Sequence, residues 1–211
     1  LIPYKEALSR LMNAVVCRNE TEYVSLSALT GRILAQDVCA QFDAPRFDNS
    51  AMDGYAVCGL QQQNWLLTDS IAAGDATHGL QLQTGQAMRI LTGAAIPAGT
   101  EAVIAQEDVN VLDGLLVCDR PLKSGQHIRR LAEEYAAGEV LLPAQMRLNA
   151  AAVGVIASQG LQHVACFRRI RITVLSSGNE LQVPGCELKE NQIYDSNRAM
   201  LLAALSDACF E

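Results

Sequence analysis

Residues 45–57 read Pro-Arg-Phe-Asp-Asn-Ser-Ala-Met-Asp-Gly-Tyr-Ala-Val, and the fold that we predict is organised around this stretch. Its cluster of Asp, Asn, Ser and Gly is typical of a loop. Ordinary loops rarely hold three large apolar residues as well, so we expect Phe47, Met52 and Tyr55 to anchor this one. Polar side chains on an anchored loop are preorganised, which favours ligand binding. Those side chains are Asp48, Asn49, Ser50 and Asp53.

The sequence around this loop alternates short apolar runs with Gly and Asp turns, from about residue 43 to residue 138. Such a texture predicts a small β-barrel or sandwich. Asp113-Gly114, between two alternating runs, predicts a β-hairpin. A strand that ends in Thr92-Gly93 is a second candidate ligand loop, because Gly93 allows the backbone to approach a ligand closely.

The flanking segments predict a different structure, with longer helices. Residues 4–17 have apolar side chains at helical spacing, and residues 150–158 form a small apolar helix that Asn149 caps. A strand follows over residues 163–167. We therefore predict a scaffold domain formed by residues 1–38 and 139–170, with a β domain inserted between them over residues 39–138.

The last segment predicts a strand that leads into a ligand-binding turn. An apolar run over residues 172–175 precedes Ser-Ser-Gly, and Tyr194-Asp195-Ser196-Asn197 precedes a helix expected over residues 198–208. Open α/β sheets bind ligands at the carboxyl ends of their strands. Helix N-termini offer free N–H groups that suit an anion.

Composition excludes several classes of function. The chain has 23 acidic and 16 basic residues and a formal charge of −7, which argues against a nucleic-acid-binding face. No apolar run approaches the roughly 20 residues that span a bilayer. Seven cysteines in no paired spacing indicate reduced, mostly buried thiols and no structural zinc site. We expect a cytoplasmic protein that binds neither nucleic acid nor membrane.

Residues 48–57 resemble the signature of the molybdopterin molybdenumtransferases, the family that includes the enzymatic end of gephyrin. Thr92-Gly93-Ala94 resembles the family's Thr-Gly-Ala motif. Residues 176–181 and 194–198 resemble its Ser-Thr-Gly-Asp-Glu-Leu and Tyr-Asp-Thr-Asn-Arg motifs, with Ser and Asn in some positions. The chain departs from the family at Ala132 and Glu134, where Gly and Asp are usual. The resemblance covers nearly all 211 residues but only about half of a family member.

This resemblance implies the roles of the site residues. Catalytic roles fall on Asp53, Thr92 and Glu180, and Asp53 and Glu180 would also hold Mg²⁺. Carboxylates with a raised pKa could protonate departing molybdate oxygens. From the residues alone, a second interpretation of Asp53 stays open, in which it caps the turn before Gly54. Substrate contacts are implied for Asp48, Asn49, Ser50, Ser176, Ser177, Gly178, Ser196 and Glu134.

The implied fold is an α+β multidomain one: a mixed α/β scaffold, an inserted small β-barrel-like domain, and then the start of a three-layer α/β molybdopterin-binding domain. That last domain would begin at residues 171–211 and be truncated, since the family's later Gly-Gly-rich loop and fourth domain do not appear. We accordingly expect the 211 residues to be inactive alone.

The implied activity is molybdenum cofactor biosynthesis. Such an enzyme inserts molybdenum from molybdate into adenylylated molybdopterin and releases AMP. The resemblance also implies a homodimer whose active site is shared between subunits, with molybdopterin adenylyltransferase as the upstream partner. The alternative is a non-catalytic binding or scaffold fragment of such a protein, and binding of molybdate or molybdopterin would discriminate between the two.

Overall fold

The chain divides into two units. In the computed structural model, which describes residues 2–16, 19–76, 79–207 and 209–210, one unit comprises Leu1–Cys39 with Val140–Glu211 and the other comprises Ala40–Glu139. Three α-helices are present among the described residues: α1 (Tyr4–Ala14), α2 (Ala150–Ser158) and α3 (Ser196–Ala204). The strands of the discontinuous unit are β1 (Thr21–Ser25), β2 (Val38–Cys39), β11 (Val140–Leu142), β12 (His163–Phe167), β13 (Leu181–Gln182) and β14 (Ile193–Tyr194).

The strands of the continuous unit, Ala40–Glu139, are shorter and more numerous. They are β3 (Asn49–Ser50), β4 (Gly54–Val57), β5 (Asn64–Ile71), β6 (Gln86–Ile90), β7 (Ala102–Ala105), β8 (Asn110–Leu112), β9 (Leu115–Val117) and β10 (Ile128–Arg129). Six of them form one curled sheet in the order β7-β4-β6-β5-β9-β8. Within the described residues β7 and β8 are its two edges and do not pair with each other, so the predicted barrel-like unit is an open half-barrel.

The two faces of this sheet each carry a separate apolar core. Alternating residues of a strand point to opposite faces, so Ala56 and Met88 join one core while Val57 and Ala87 join the other. The single tryptophan, Trp65, is fully buried in the second core. Most of the other residues in the two cores are Leu, Val, Ile and Ala.

The core of the discontinuous unit forms where β1 pairs with β12 in antiparallel fashion, from Thr21 opposite Phe167 to Ser25 opposite His163. Helix α2 contributes Ile156, which is fully buried against that pair. The predicted cap of α2 is confirmed, because the Asn149 side chain accepts a hydrogen bond from the Ala152 N–H at 2.9 Å. This unit also buries Arg32, which is ion-paired with Glu22.

Several predicted elements are confirmed and others are wrong. The Asp113-Gly114 hairpin joins β8 to β9, with φ of 51° and 79° at the two turn residues. The predicted strand at residues 172–175 is wrong: these residues have no regular secondary structure. Helix α3 begins two residues earlier than predicted and ends at Ala204, and Ala208 lies outside the described residues.

Helix α1 is shorter than predicted and has no buried residue. Its apolar side chains, including Tyr4, Leu11 and Met12, are exposed in the described part of the chain. None of the described helices is both long and apolar enough to cross a bilayer.

The cysteines are less uniformly buried than we predict from sequence. Cys58, Cys118 and Cys166 are buried, while Cys186 is exposed. Cys39 and Cys209 are half-buried, and Cys17 lies outside the described residues.

Candidate functional site

Two of the sequence motifs meet where β4 begins and where β6 and β7 end. Strand β4 is antiparallel to β6 on one side and to β7 on the other, and Gly54 lies opposite Ile90 and Ala105. The residue before β4 therefore lies beside the residues that follow β6 and β7. Asp53 thus lies between the Thr-Gly loop and the residues after Ala105, and its carbonyl accepts a hydrogen bond from the Gln106 N–H at 3.0 Å.

Asp53 and Thr92 meet at this end of the strands through two short hydrogen bonds. Asp53 Oδ1 accepts from the Thr92 N–H at 2.7 Å and from the Thr92 hydroxyl at 2.6 Å. Both bonds lower the pKa of the Asp53 carboxyl, and the positive charge of Arg89 lowers it further. Asp53 Oδ2 makes no hydrogen bond with any residue that the structure describes. The pair therefore presents an exposed, ionised carboxylate with one oxygen available.

This geometry argues against the second interpretation of Asp53, in which its side chain caps its own turn. Its side chain instead receives donors from a loop 39 residues further along the chain. It also corrects the proposed acid chemistry of Asp53, because a lowered pKa favours the ionised form near neutral pH.

The loop before β4 is held by backbone contacts and by one of the three side chains that we predict as anchors. Phe47 and Met52 are 49% and 38% exposed, and only Tyr55 packs against a core. The predicted anchoring by Phe47 and Met52 is therefore wrong. The peptide of Ser50 bonds instead to the Thr-Gly loop on both sides, receiving from Gly93 N–H at 2.9 Å and donating to the Ala94 carbonyl at 3.0 Å.

Gly54 explains why the backbone can pass so close to β7. A Cβ at this position would lie 1.9 Å from the carbonyl oxygen of Ile104, which leaves no room for any side chain. Because Gly54 follows Asp53 directly, the position of the carboxylate depends on this close approach.

Asn49 and Ser50, which we predict as substrate contacts, are buried supports of the loop. The Ser50 hydroxyl is fully buried and donates to the Met52 carbonyl at 2.7 Å. Asn49 is 7% exposed, and its Nδ2 donates to the Phe47 carbonyl at 3.2 Å. Asn49 Oδ1 has no hydrogen-bond partner among the described residues. Both side chains are buried in this conformation.

Asp48 joins the loop to the segment after β10. Its Oδ2 pairs with Arg130 at 2.6 Å, and its Oδ1 accepts from the Leu131 N–H at 2.8 Å. The bond from Leu131 and the charge of Arg130 lower the pKa of the Asp48 carboxyl. Both carboxylate oxygens therefore have partners within the unit. We call Asp48 with these two contacts a clamp, because they hold the loop to the segment after β10.

Ala132 and Glu134 are the positions at which the chain departs from the family pattern. Ala132 has a φ of 59°, the left-handed region in which Gly is favoured over Ala. The Glu134 side chain is exposed, and its N–H donates to the Ala44 carbonyl at 2.8 Å. The carboxylate of Glu134 is therefore accessible to a ligand.

A second group of predicted residues lies in the discontinuous unit, around an open concavity of ≈ 340 Å³. The Ser176 hydroxyl donates to the Asp195 carboxylate, and this bond is the main reason that the pKa of Asp195 is lowered. Asp195 also caps α3 by accepting from the Arg198 N–H at 3.0 Å. The lining residues are Val174, Leu175, Ser176, Gly178, Leu181, Gln182, Val183, Asp195 and Arg198.

Glu180 lies against the turn that we predict to bind anionic oxygens. A Cβ at Gly178 would lie 2.6 Å from Glu180 Oε1, so the carboxylate covers the α-carbon of this glycine. Gly178 also has a φ of 156°. Because carboxylate and oxyanion repel each other, an anion can bind at Gly178 only if Glu180 moves or a cation intervenes. Ser177 is exposed but does not line the concavity, and Ser196 is the first residue of α3.

The described residues contain no group of three or more His, Cys, Asp or Glu side chains that could hold a metal ion by themselves. Mg²⁺ does not require such a cage, because it usually binds one or two carboxylates together with substrate phosphates. The ionised Asp53, with Oδ2 available, fits a ligand of that kind.

The sequence misses the roles of three residues at these sites. Arg89 lies on the strand next to the one that Asp53 precedes. Asp195 accepts a hydrogen bond from the Ser176 hydroxyl, and Arg198 lines the concavity. The Tyr-Asp-Ser-Asn-Arg segment is the signal that pointed to the last two. For Arg89 the signal is weaker: a charged residue interrupts an otherwise apolar strand.

The fold and these sites define a mixed α+β protein with an inserted sheet, in which polar loops meet at one end of the strands. The model of the MoeA N-terminal region (domain I and II) matches residues 2–160. The chain therefore belongs to this family.

Curated relatives and solved structures agree with that assignment. A molybdopterin molybdenumtransferase from Haemophilus influenzae is 39% identical over 205 residues, which cover 94% of this chain and 50% of the relative. Molybdopterin molybdenumtransferase 2 from Mycobacterium tuberculosis is 38% identical over 213 residues, covering 97% and 51%. A crystal structure of a molybdopterin biosynthesis MoeA protein from Pyrococcus horikoshii superposes with a TM-score of 0.85 at 32% identity, covering 97% of this chain and 56% of that one. The chain spans about half the length of the curated relatives it matches.

Proposed function

We propose that a protein carrying this chain is a molybdopterin molybdenumtransferase, which inserts molybdenum from molybdate into adenylylated molybdopterin and releases AMP. The observation that carries the proposal is the Asp53–Thr92 pair. Its 2.6 Å hydrogen bond joins two separate family motifs at an exposed end of the sheet's strands. Relatives with that name are 38–39% identical over nearly the whole chain, which supports the same substrates here.

In this proposal Asp53 acts as an anion throughout. Thr92 donates two hydrogen bonds to Asp53 Oδ1 and so fixes the orientation of the carboxylate. Oδ2 stays available to a ligand. An ionised carboxylate repels a phosphoanhydride. Mg²⁺ held by Asp53 would offset that repulsion and polarise the anhydride. Glu180 is the second carboxylate that we propose for Mg²⁺, since its side chain is exposed.

We further propose that residues 171–211 begin the molybdopterin-binding domain. The supporting observation is the concavity beside α3, where the Ser176 hydroxyl and the Arg198 segment surround the Asp195 carboxylate. We also propose a cytoplasmic homodimer in which the inserted unit of one subunit completes the site of the other. Its adenylylated substrate would come from molybdopterin adenylyltransferase.

Replacing Asp53 by Asn in the full-length protein tests the catalytic proposal. The change keeps the side-chain shape and an oxygen that accepts from Thr92, but it removes the charge. We expect product formation to fall by roughly 10²–10³-fold, the effect of losing one preorganised electrostatic contact in an active site, while thermal unfolding stays near that of the wild type. Asp119→Asn is the matched control, since Asp119 is exposed and makes no hydrogen bond or ion pair with a described residue. Activity lost only in proportion to folded protein would refute a catalytic Asp53.

Mixed dimers test the shared site. Asp53→Asn and Glu180→Gln subunits are inactive alone in this proposal, but a dimer of one of each retains one site with both carboxylates. We expect activity to return when the two variants exchange subunits. If exchange is confirmed and the mixture stays inactive, the site is not shared in this way.

A further inference from the structure

Strand β6 carries an exposed cation, Arg89, close to the Asp53–Thr92 pair. Arg89 lies between Met88 and Ile90, which are 4% and 0% exposed, while Arg89 itself is exposed. A buried strand of this kind has few positions at which an Arg is tolerated. Arg89 occupies the one next to the end of β6, three residues before Thr92.

The strand register brings Arg89 to the face that leads to Asp53. Arg89 lies opposite Tyr55 of β4 and opposite Ser70 of β5. Asp53 precedes Tyr55 by two residues, and residues two apart along a strand share a face. Diagonal neighbours on adjacent strands are within reach of a long side chain. The charge of Arg89 does act on Asp53, whose pKa it helps to lower.

The two charges nevertheless do not form an ion pair. Asp53 Oδ1 accepts from Thr92, and Arg89 makes no hydrogen bond or ion pair with any residue in the described part of the chain. Other arginines of the same unit do form such pairs: Arg130 with Asp48, and Arg120 with Asp108. The guanidinium donors of Arg89 are therefore available to a ligand at this end of the strands.

We propose that Arg89 binds a tetrahedral oxyanion of the substrate next to the Asp53 carboxylate, an inference that rests on the proposed function. A guanidinium presents paired N–H donors that match an oxyanion in geometry and charge. The oxyanion is either molybdate or the phosphate of the adenylylated substrate. Arg89 would thus offset, from the protein side, the repulsion between Asp53 and an anionic substrate.

The test compares Arg89→Gln with Arg89→Lys in the full-length protein, varying molybdate and adenylylated molybdopterin separately. We expect Arg89→Gln to raise KM for one of them by roughly 10–100-fold, the effect of losing a charged hydrogen bond, with a smaller change in kcat. The substrate whose KM rises identifies the oxyanion. Arg89→Lys should recover part of the loss. Arg120→Gln, which removes an exposed Arg from the same unit, should leave both KM values unchanged.

A second measurement needs no substrate. The Asp53 carboxyl pKa, followed by NMR in the 211-residue chain, should rise in Arg89→Gln and not in Arg89→Lys. If that pKa rises while both KM values stay at the wild-type level, Arg89 only tunes Asp53, and the binding proposal is overturned.

A third measurement distinguishes a failure of the Arg89 proposal from a failure of the proposed function. If the wild-type protein forms no product, the proposed function fails, and equilibrium dialysis with molybdate and with AMP then decides the role of Arg89. Binding of either probe that weakens in Arg89→Gln supports the oxyanion site. Equal binding by the two proteins, or no binding by the wild type, overturns it.

Discussion

Ala132 shows how a single backbone angle explains a departure from the family pattern. Its φ of 59° is unfavourable for any residue with a Cβ, by about 1–2 kcal/mol, whereas Gly adopts it freely. Part of the advantage of Gly is offset by its greater entropy in the unfolded chain, about 0.4–1 kcal/mol. We therefore predict that Ala132→Gly stabilises the inserted unit by about 0.5–1 kcal/mol.

The unfolding of this unit can be followed by the fluorescence of Trp65, the only tryptophan in the chain and fully buried there. The urea midpoint should rise in Ala132→Gly. Ala137→Gly is the control: Ala137 is exposed in the same segment and has no positive φ, so this change should lower the midpoint. If both variants shift in the same direction, backbone strain at Ala132 is not the cause.

Asp48 makes the stability of the inserted unit depend on pH. Its folded pKa is lowered, so its contribution is fully present above the unfolded value and is lost as pH falls through the folded pKa. We predict that the urea midpoint reported by Trp65 falls from about pH 5 downwards and that Asp48→Asn flattens this dependence. Asp119→Asn removes the same charge from an exposed site and should leave the slope unchanged. Equal slopes for wild type and Asp48→Asn would contradict the clamp.

At the scale of residues, the sequence could identify Asp53 and Thr92 because they belong to long motifs in a fixed order. It could not show that they touch, since 39 residues separate them and only the register of β4 and β6 joins them. It also misjudged Phe47 and Met52. Apolar composition indicates burial on average, but here backbone hydrogen bonds hold the loop and leave those side chains exposed.

Helix α2 is the element whose sequence signals agree best with the structure. Asn149 accepts from the Ala152 N–H, and such caps contribute about 1 kcal/mol. We predict that Asn149→Ala destabilises α2 by about that amount, seen as roughly fivefold faster hydrogen exchange of the first-turn amides. Asn149→Ser should preserve most of the protection because Ser also caps. Unchanged exchange in Asn149→Ala would show that tertiary packing alone holds the helix end.

Elements with local signals were predictable, and those that need a distant partner were not. The β8–β9 hairpin follows from Asp113-Gly114, and β12 follows from the four apolar residues after His163. Residues 172–175, Ile-Thr-Val-Leu, are at least as typical of a strand but form none. A strand requires another strand beside it, and no described residue pairs with this run. Composition alone does not show whether a partner exists.

At the scale of the whole molecule, the cysteines report on the packing of both units. We predict seven free thiols after denaturation without reductant, because the number is odd and no paired spacing occurs. In the native protein, exposed Cys186 should react with a thiol reagent first. Buried Cys166 should react slowly, since burial raises the pKa of its thiol. Fewer than six thiols after denaturation, or slow reaction of Cys186, would contradict this order.

The ends of the inserted unit are tied together, and this has a consequence for how the chain folds during synthesis. The Ala40 N–H donates to the Glu139 carbonyl at 2.8 Å, and the Gly138 N–H donates to the Ala40 carbonyl at 2.9 Å. Strand β1 must wait for β12, whose residues leave the ribosome about 140 positions later. The inserted unit, complete at residue 139, is available to fold in the meantime. Once folded, it brings β2 and β11 next to each other and removes most of the entropy cost of closing a 100-residue loop, about 4 kcal/mol. The folded insertion therefore favours the later pairing of the scaffold segments that precede and follow it in sequence.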